Sequence, residues 1–157
     1  MSNFPQDNTP AAWHRYFAIE CNNLAWDLTV VARTADQDKQ LVDLAHSAAL
    51  HWQEAGTEPN HMRATMLLAE AHCLAGSPDL ALRFGKTMHT YFTNQTTDAW
   101  ELALAHGILA HAVKLNGDTA QHASLYQLAQ DALRRIDSNE DRAIVDATFQ
   151  HIPAPQS

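Results

Sequence analysis

Helix start and stop signals punctuate this chain from end to end, and no run between them alternates apolar and polar residues as a strand would. Thr9-Pro10 is an N-cap followed by a proline at the first helical position, where its missing N–H costs nothing. The spacing predicts helix 1 from Pro10 to about Ala32. Thr34, with Gln37 three residues on, forms a capping box for helix 2. That helix should end before Gly56, a residue suited to the left-handed position after a helix. Thr57 opens helix 3 and Gly76 closes it. Ser77-Pro78-Asp79 opens helix 4, predicted to run to about Phe92. Asp98, with Glu101 at the third helical position, opens helix 5, and Asn116-Gly117 ends it. Asp118 caps helix 6, and Ser138 caps a short helix 7 ending near His151. The expectation is an all-α protein of antiparallel helical hairpins joined by short loops. A single domain over 10–152 would be flanked by a flexible N-terminus, 1–9, and a flexible tail, 153–157.

The faces of these helices say how they stack. Helix 1 offers a core stripe of Trp13, Phe17, Leu24, Leu28 and Val31, and a second stripe of Arg15, Ile19, Asn22 and Trp26. Helix 3 carries Met62, Met66, Ala69 and Cys73 on one side, and Asn60, Arg63, Leu67, Glu70 and Leu74 on the other. Helix 5 has Leu102, Ala105, Leu109 and Val113 opposite Leu104, Ile108, His111 and Leu115. Helix 2 is apolar mainly on one side, through Leu41, Leu44, Ala45, Ala48 and Trp52. Odd helices with two apolar sides form an inner layer, and even helices an outer one.

A weak repeat supports this. Setting Gly76 on Gly117, an offset of 41 residues, places Leu67-Leu68-Ala69 on Ile108-Leu109-Ala110 and Leu74 on Leu115. On Leu68-Ala69, Gly76 and Ala81, then Leu109-Ala110, Gly117, Tyr126 and Ala129, the chain resembles the tetratricopeptide-repeat-like (TPR-like) superfamily over about residues 57–136. The repeat is longer than the usual length of about 34 residues. No proline follows helix 4 or helix 6, Gly85 replaces an aromatic, and His122 replaces a small residue. With its AHSAALHW and GTEPNHMRA segments the whole chain is also similar to small bacterial proteins of this class, a likeness that brings no activity with it. The resemblance implies a short α-solenoid that binds a peptide or protein on its inner face.

Composition narrows the function classes. The net charge of −8 argues against nucleic acid or an anionic membrane as partner. Cys21 and Cys73 are too few for a disulfide framework and read as buried thiols. The opening MSNFPQDNTP lacks the basic and apolar regions of a secretory leader, so a cytoplasmic protein is expected. There is no G-x-S-x-G, Walker A or G-x-G-x-x-G motif, so no enzyme, catalytic residue or cofactor is expected.

Ten histidines raise the question of metal. Asp43/His46 and Glu58/His61 have carboxylate–histidine i,i+3 spacing, but the additional glutamates of a di-iron bundle are hard to find, Glu20 and Glu70 being the mid-helix choices. His46/His51 and His106/His111, five apart, fall on different helix faces. The expectation is separate histidines and no metal site. His51-Trp52, beside Gly56-Thr57, could line a pocket with Asn60 and Arg63, although Trp52 reads more simply as a core anchor.

The mixed second stripe remains. Charged residues among apolar ones suit a partner-binding groove better than a buried seam, because unpaired buried charge is expensive. The predicted groove comprises Arg15, Asn22 and Trp26 of helix 1, Asn60, Arg63, Leu67 and Glu70 of helix 3, and Ile108 and His111 of helix 5. The expected function is peptide or protein binding by a non-enzymatic module. The alternatives are a homodimer built on the same stripe, or a sensor or enzyme with a histidine-lined small-molecule or metal pocket.

Overall fold

A computed structural model describes residues 4–156. Over these residues the chain forms helices only: α1 (Pro10–Thr29), α2 (Ala35–Ala55), α3 (Glu58–Leu74), α4 (Pro78–Thr93), α5 (Ala99–Leu115), α6 (Thr119–Arg134) and α7 (Asn139–Phe149). The pairs α1/α2, α3/α4 and α5/α6 pack as hairpins. α1 touches α3 and α3 touches α5, so the odd helices form one layer, and α7 returns against α5.

Most punctuation acts as the residue types dictate. The Thr34/Gln37 capping box is formed in both directions, through 3.3 Å and 2.9 Å hydrogen bonds. Gly76 and Gly117 adopt φ of +73° and +85°, which favour glycine strongly. Each ends its helix in the same way: the N–H of Ser77 reaches His72 O, and that of Asp118 reaches Val113 O. Gly56 differs from the left-handed expectation. Its backbone is extended, and a Cβ there would lie 2.6 Å from Trp52 O and 3.0 Å from the indole.

α1 stops three residues short of the predicted Ala32 because Arg33 folds back on it. The Arg33 guanidinium donates to Leu28 O at 2.8 Å and Val31 O at 2.9 Å, and pairs with Asp38 at 2.7 Å. Those carbonyls would otherwise be left without partners. The predicted core stripe of α1 is also corrected. Phe17, Leu24 and Val31 are 42%, 51% and 45% exposed, whereas Ala18, Ala25 and Thr29 are buried. α1 is the end of the stack, and its small residues let it lie close on α2.

α5 is the centre of the core. It is apolar on nearly every side and is buried from Ala103 to Val113 except at His106. Gly107 admits α7 and the segment after it: a Cβ at this position would meet the Phe149 ring at 2.8 Å and Ile152 at 3.0 Å. Described residues at both ends of the chain make contacts with the helices. Phe4 lies tilted against Trp13 and Tyr16, Trp13 Nε1 donates to Asn8 at 2.7 Å, and His122 Nε2 bonds Pro153 O at 2.9 Å. Residues 1–3 and 157, also predicted flexible, lie outside the described residues. No described helix is long and apolar enough to cross a membrane.

Candidate binding cavity

Where α1, α3 and α5 face α7, the inner layer lines a partly open cavity of about 230 Å³. Each helix contributes residues three or four apart, on one face. Asn22 and Trp26 come from α1, Asn60, Arg63 and Met66 from α3, Trp100 and Leu104 from α5, and Ile144 and Thr148 from α7. Trp52 reaches in from α2. Three of the four tryptophans therefore share one cavity, while Trp13 sits in the N-terminal aromatic cluster.

Arg63 is the charged group of the wall. Its Nε–H donates to Glu101 at 2.7 Å, and its guanidinium lies 5.7 Å from the centre of the Trp100 ring. Glu101 was expected to serve the start of its own helix; it turns to Arg63 instead, and the Asp98 side chain makes no cap. The Glu101 side chain is 8% exposed and that of Arg63 47%, so the pair is half inside the protein. Asn60 Oδ1 accepts from the Thr57 N–H and hydroxyl, fixing the amide beside the cavity.

Of the predicted groove, Asn22, Trp26, Asn60 and Arg63 meet in this cavity. Arg15 is exposed but lies outside it. Leu67, Glu70, Ile108 and His111 are corrected: all four are buried inside the chain and offer no surface to a partner or a second copy. Leu67 packs with Leu41, Ala45 and Leu68, and Ile108 joins the α5 core. Glu70, Cys73 and His111 form a buried group between α3 and α5. The Cys73 thiol is pushed up strongly by burial, and further by the Glu70 carboxylate.

Met66, Trp100, Leu104, Ile144 and Thr148 also line the cavity, outside the predicted groove. Trp100/Leu104 and Ile144/Thr148 do have four-residue spacing, but nothing local shows that α7 returns to α5 and lines the cavity opposite residues of α1 and α3. Trp52 is both things considered for it, a buried anchor and part of the cavity wall. His51 is elsewhere, bonded to His14 across α1 and α2 at 2.9 Å.

The histidines are not separate either. His46 faces His72 at 3.0 Å and His89 faces His106 at 2.9 Å, so six of them form three pairs between neighbouring helices. Each bond needs one ring nitrogen protonated and the other bare. Burial lowers the His51, His72 and His89 pKa values; burial, then His89 and Arg135, takes that of His106 down to about 4. The side chains with carboxylate–histidine i,i+3 spacing turn to other partners: Asp43 holds Lys39, and His61 bonds Trp52 O.

Comparison with protein-family models, curated proteins and solved structures gives no match to this chain.

Proposed function

We propose that the chain is a non-enzymatic, TPR-like module that binds a peptide or protein segment through one large apolar side chain. The tryptophan-lined cavity between the inner helices and α7 carries this reading. Its volume of about 230 Å³ is below the range of about 300–1,000 Å³ typical of pockets for whole small molecules. A single anchoring side chain is a better match, since binding energy concentrates where an apolar group fills a desolvated pocket. Asn22, Asn60 and the N–H groups of Arg63 not used on Glu101 supply donors for the backbone carbonyls beside such an anchor. The net charge of −8 favours a neutral or basic segment over an acidic one.

The wall residues are amides, one guanidinium, one hydroxyl and apolar surfaces, which suit binding better than proton transfer. α7 supports an anchor pocket over a long open groove, because it already covers part of the inner face.

A peptide array tests the proposal, with one central residue varied on constant flanks. Wild type should select large apolar residues. Ile144→Trp, placed at an exposed position of the cavity rim, should lose that selection while unfolding at the same temperature. Absence of any preference, or equal selection by the plugged variant, would overturn it.

A further inference from the structure

Glu70 and Cys73 stand one helical turn apart on α3, and His111 meets them from α5. A carboxylate oxygen, the cysteine sulfur and a ring nitrogen all lie within 4.8 Å of one another. Glu70 is fully buried, and Cys73 and His111 are nearly so. Both Glu70 oxygens and His111 Nδ1 are buried without a hydrogen-bond partner among the described residues. Nδ1 and Oε2 are 3.6 Å apart, too far for a hydrogen bond. Cys73 packs against Ala81 and Ala112, so apolar surface closes its side. A carboxylate held this way is costly unless a positive charge lies beside it.

We infer that Glu70, Cys73 and His111 bind one divalent transition-metal ion, zinc by chemical class. The donors are those zinc takes: a thiolate, an imidazole and a carboxylate. Metal–ligand distances of about 2.0–2.3 Å place donors from different residues about 3.3–3.8 Å apart, so a modest contraction brings the three side chains into range. Sulfur and nitrogen, with both oxygens of Glu70, fill four positions. Charge also balances, since a carboxylate, a thiolate and a neutral imidazole together cancel a dication. The Cys73 proton leaves to solvent on binding. Thiolate and imidazole select against magnesium and calcium, which take oxygen ligands.

Full burial makes this a structural clip. α3 belongs to the second hairpin and α5 to the third. The Arg63–Glu101 ion pair ties these helices near their N-termini, and the ion would tie them near their C-termini. The site does not depend on the proposed cavity function. The rival arrangement puts a proton where the ion would be, closing a Glu70–His111 hydrogen bond and leaving Cys73 without a role.

Cobalt(II) distinguishes the two. Tag-free protein carrying Cys21→Ser is refolded with cobalt under reducing conditions, which removes slow entry into a closed site as an explanation. One equivalent should bind, with a near-ultraviolet thiolate-to-cobalt band that zinc displaces. Cys73→Ala should abolish the band, and Glu70→Gln should weaken binding at least about tenfold. The histidine pairs contain no thiolate, so they cannot produce the band. Folded protein without the band at one equivalent of cobalt, or a band that survives Cys73→Ala, overturns the inference.

Discussion

Replacing Arg63 should cost more stability than its exposure suggests, and replacing Glu101 as well should recover part of the loss. The 2.7 Å contact joins a guanidinium half in water to a carboxylate 8% exposed. Fully exposed pairs contribute about 0–1 kcal/mol. Removing one partner of a fully buried pair costs about 3–5 kcal/mol. A pair buried on the carboxylate side alone lies between, so Arg63→Ala should cost about 2 kcal/mol. Loss of the Trp100 contact is included in that figure. In a chain of this size about 2 kcal/mol lowers Tm by about 4–8 °C. Glu101→Gln removes the charge that Arg63→Ala strands. The double variant should therefore be more stable than the two single losses predict, by about 1–2 kcal/mol. Urea unfolding of the four proteins, with equal m-values, measures this directly. A coupling under about 0.5 kcal/mol would refute the reasoning, because Glu101 would then be hydrated and the cavity wall open there.

Three further outcomes follow from other parts of the fold. His89 and His106 have pKa values below the ordinary 6.5, so the unfolded chain takes up protons that the folded chain refuses. Their contribution is complete above about pH 6.5 and declines as pH falls toward 4; Tm should drop between pH 7 and 5, and less so in a His89→Gln/His106→Gln variant. Leu109→Ala, in the core beside α4, should cost about 2–5 kcal/mol in the same urea assay; a cost under 1 kcal/mol would contradict the packing. Gly117→Ala has free space for its Cβ but a φ of +85°, so backbone strain alone should cost about 1 kcal/mol; a gain in stability would show that the turn is not left-handed.

The helix boundaries were legible because caps act locally. Thr34 and Gln37 need only each other, and Gly76 and Gly117 need only their own helix ends. The Glu70 stripe misled for the opposite reason. Within α3, a carboxylate among Leu67 and Leu74 looks like the rim of a groove. Its surroundings come from α5, about forty residues away, where His111 looked equally exposed. Periodicity describes one helix at a time and carries no information about what faces it. The same gap hid the histidine pairs, each of which joins two helices. It also hid the α7 side of the cavity, since Ile144 and Thr148 approach Asn22 and Trp26 only through the return of α7. The face that α1 buries is set by its small residues, Ala18 and Ala25, and apolar periodicity alone favours the large ones, Phe17 and Leu24.

Trp26, Trp52 and Trp100 are proposed to surround a place where an apolar side chain binds. The four indole N–H resonances of nitrogen-15-labelled protein report on it separately, once each is assigned by replacement with phenylalanine. The titrants are N-acetyl-leucinamide and N-acetyl-phenylalaninamide, with N-acetyl-aspartamide as a polar control. Saturable shifts are expected at Trp26, Trp52 and Trp100 with the apolar probes. Trp13, held to Asn8 in the N-terminal cluster, should stay in place. Shifts at Trp13 alone, or equal shifts with the polar control, would contradict the claim.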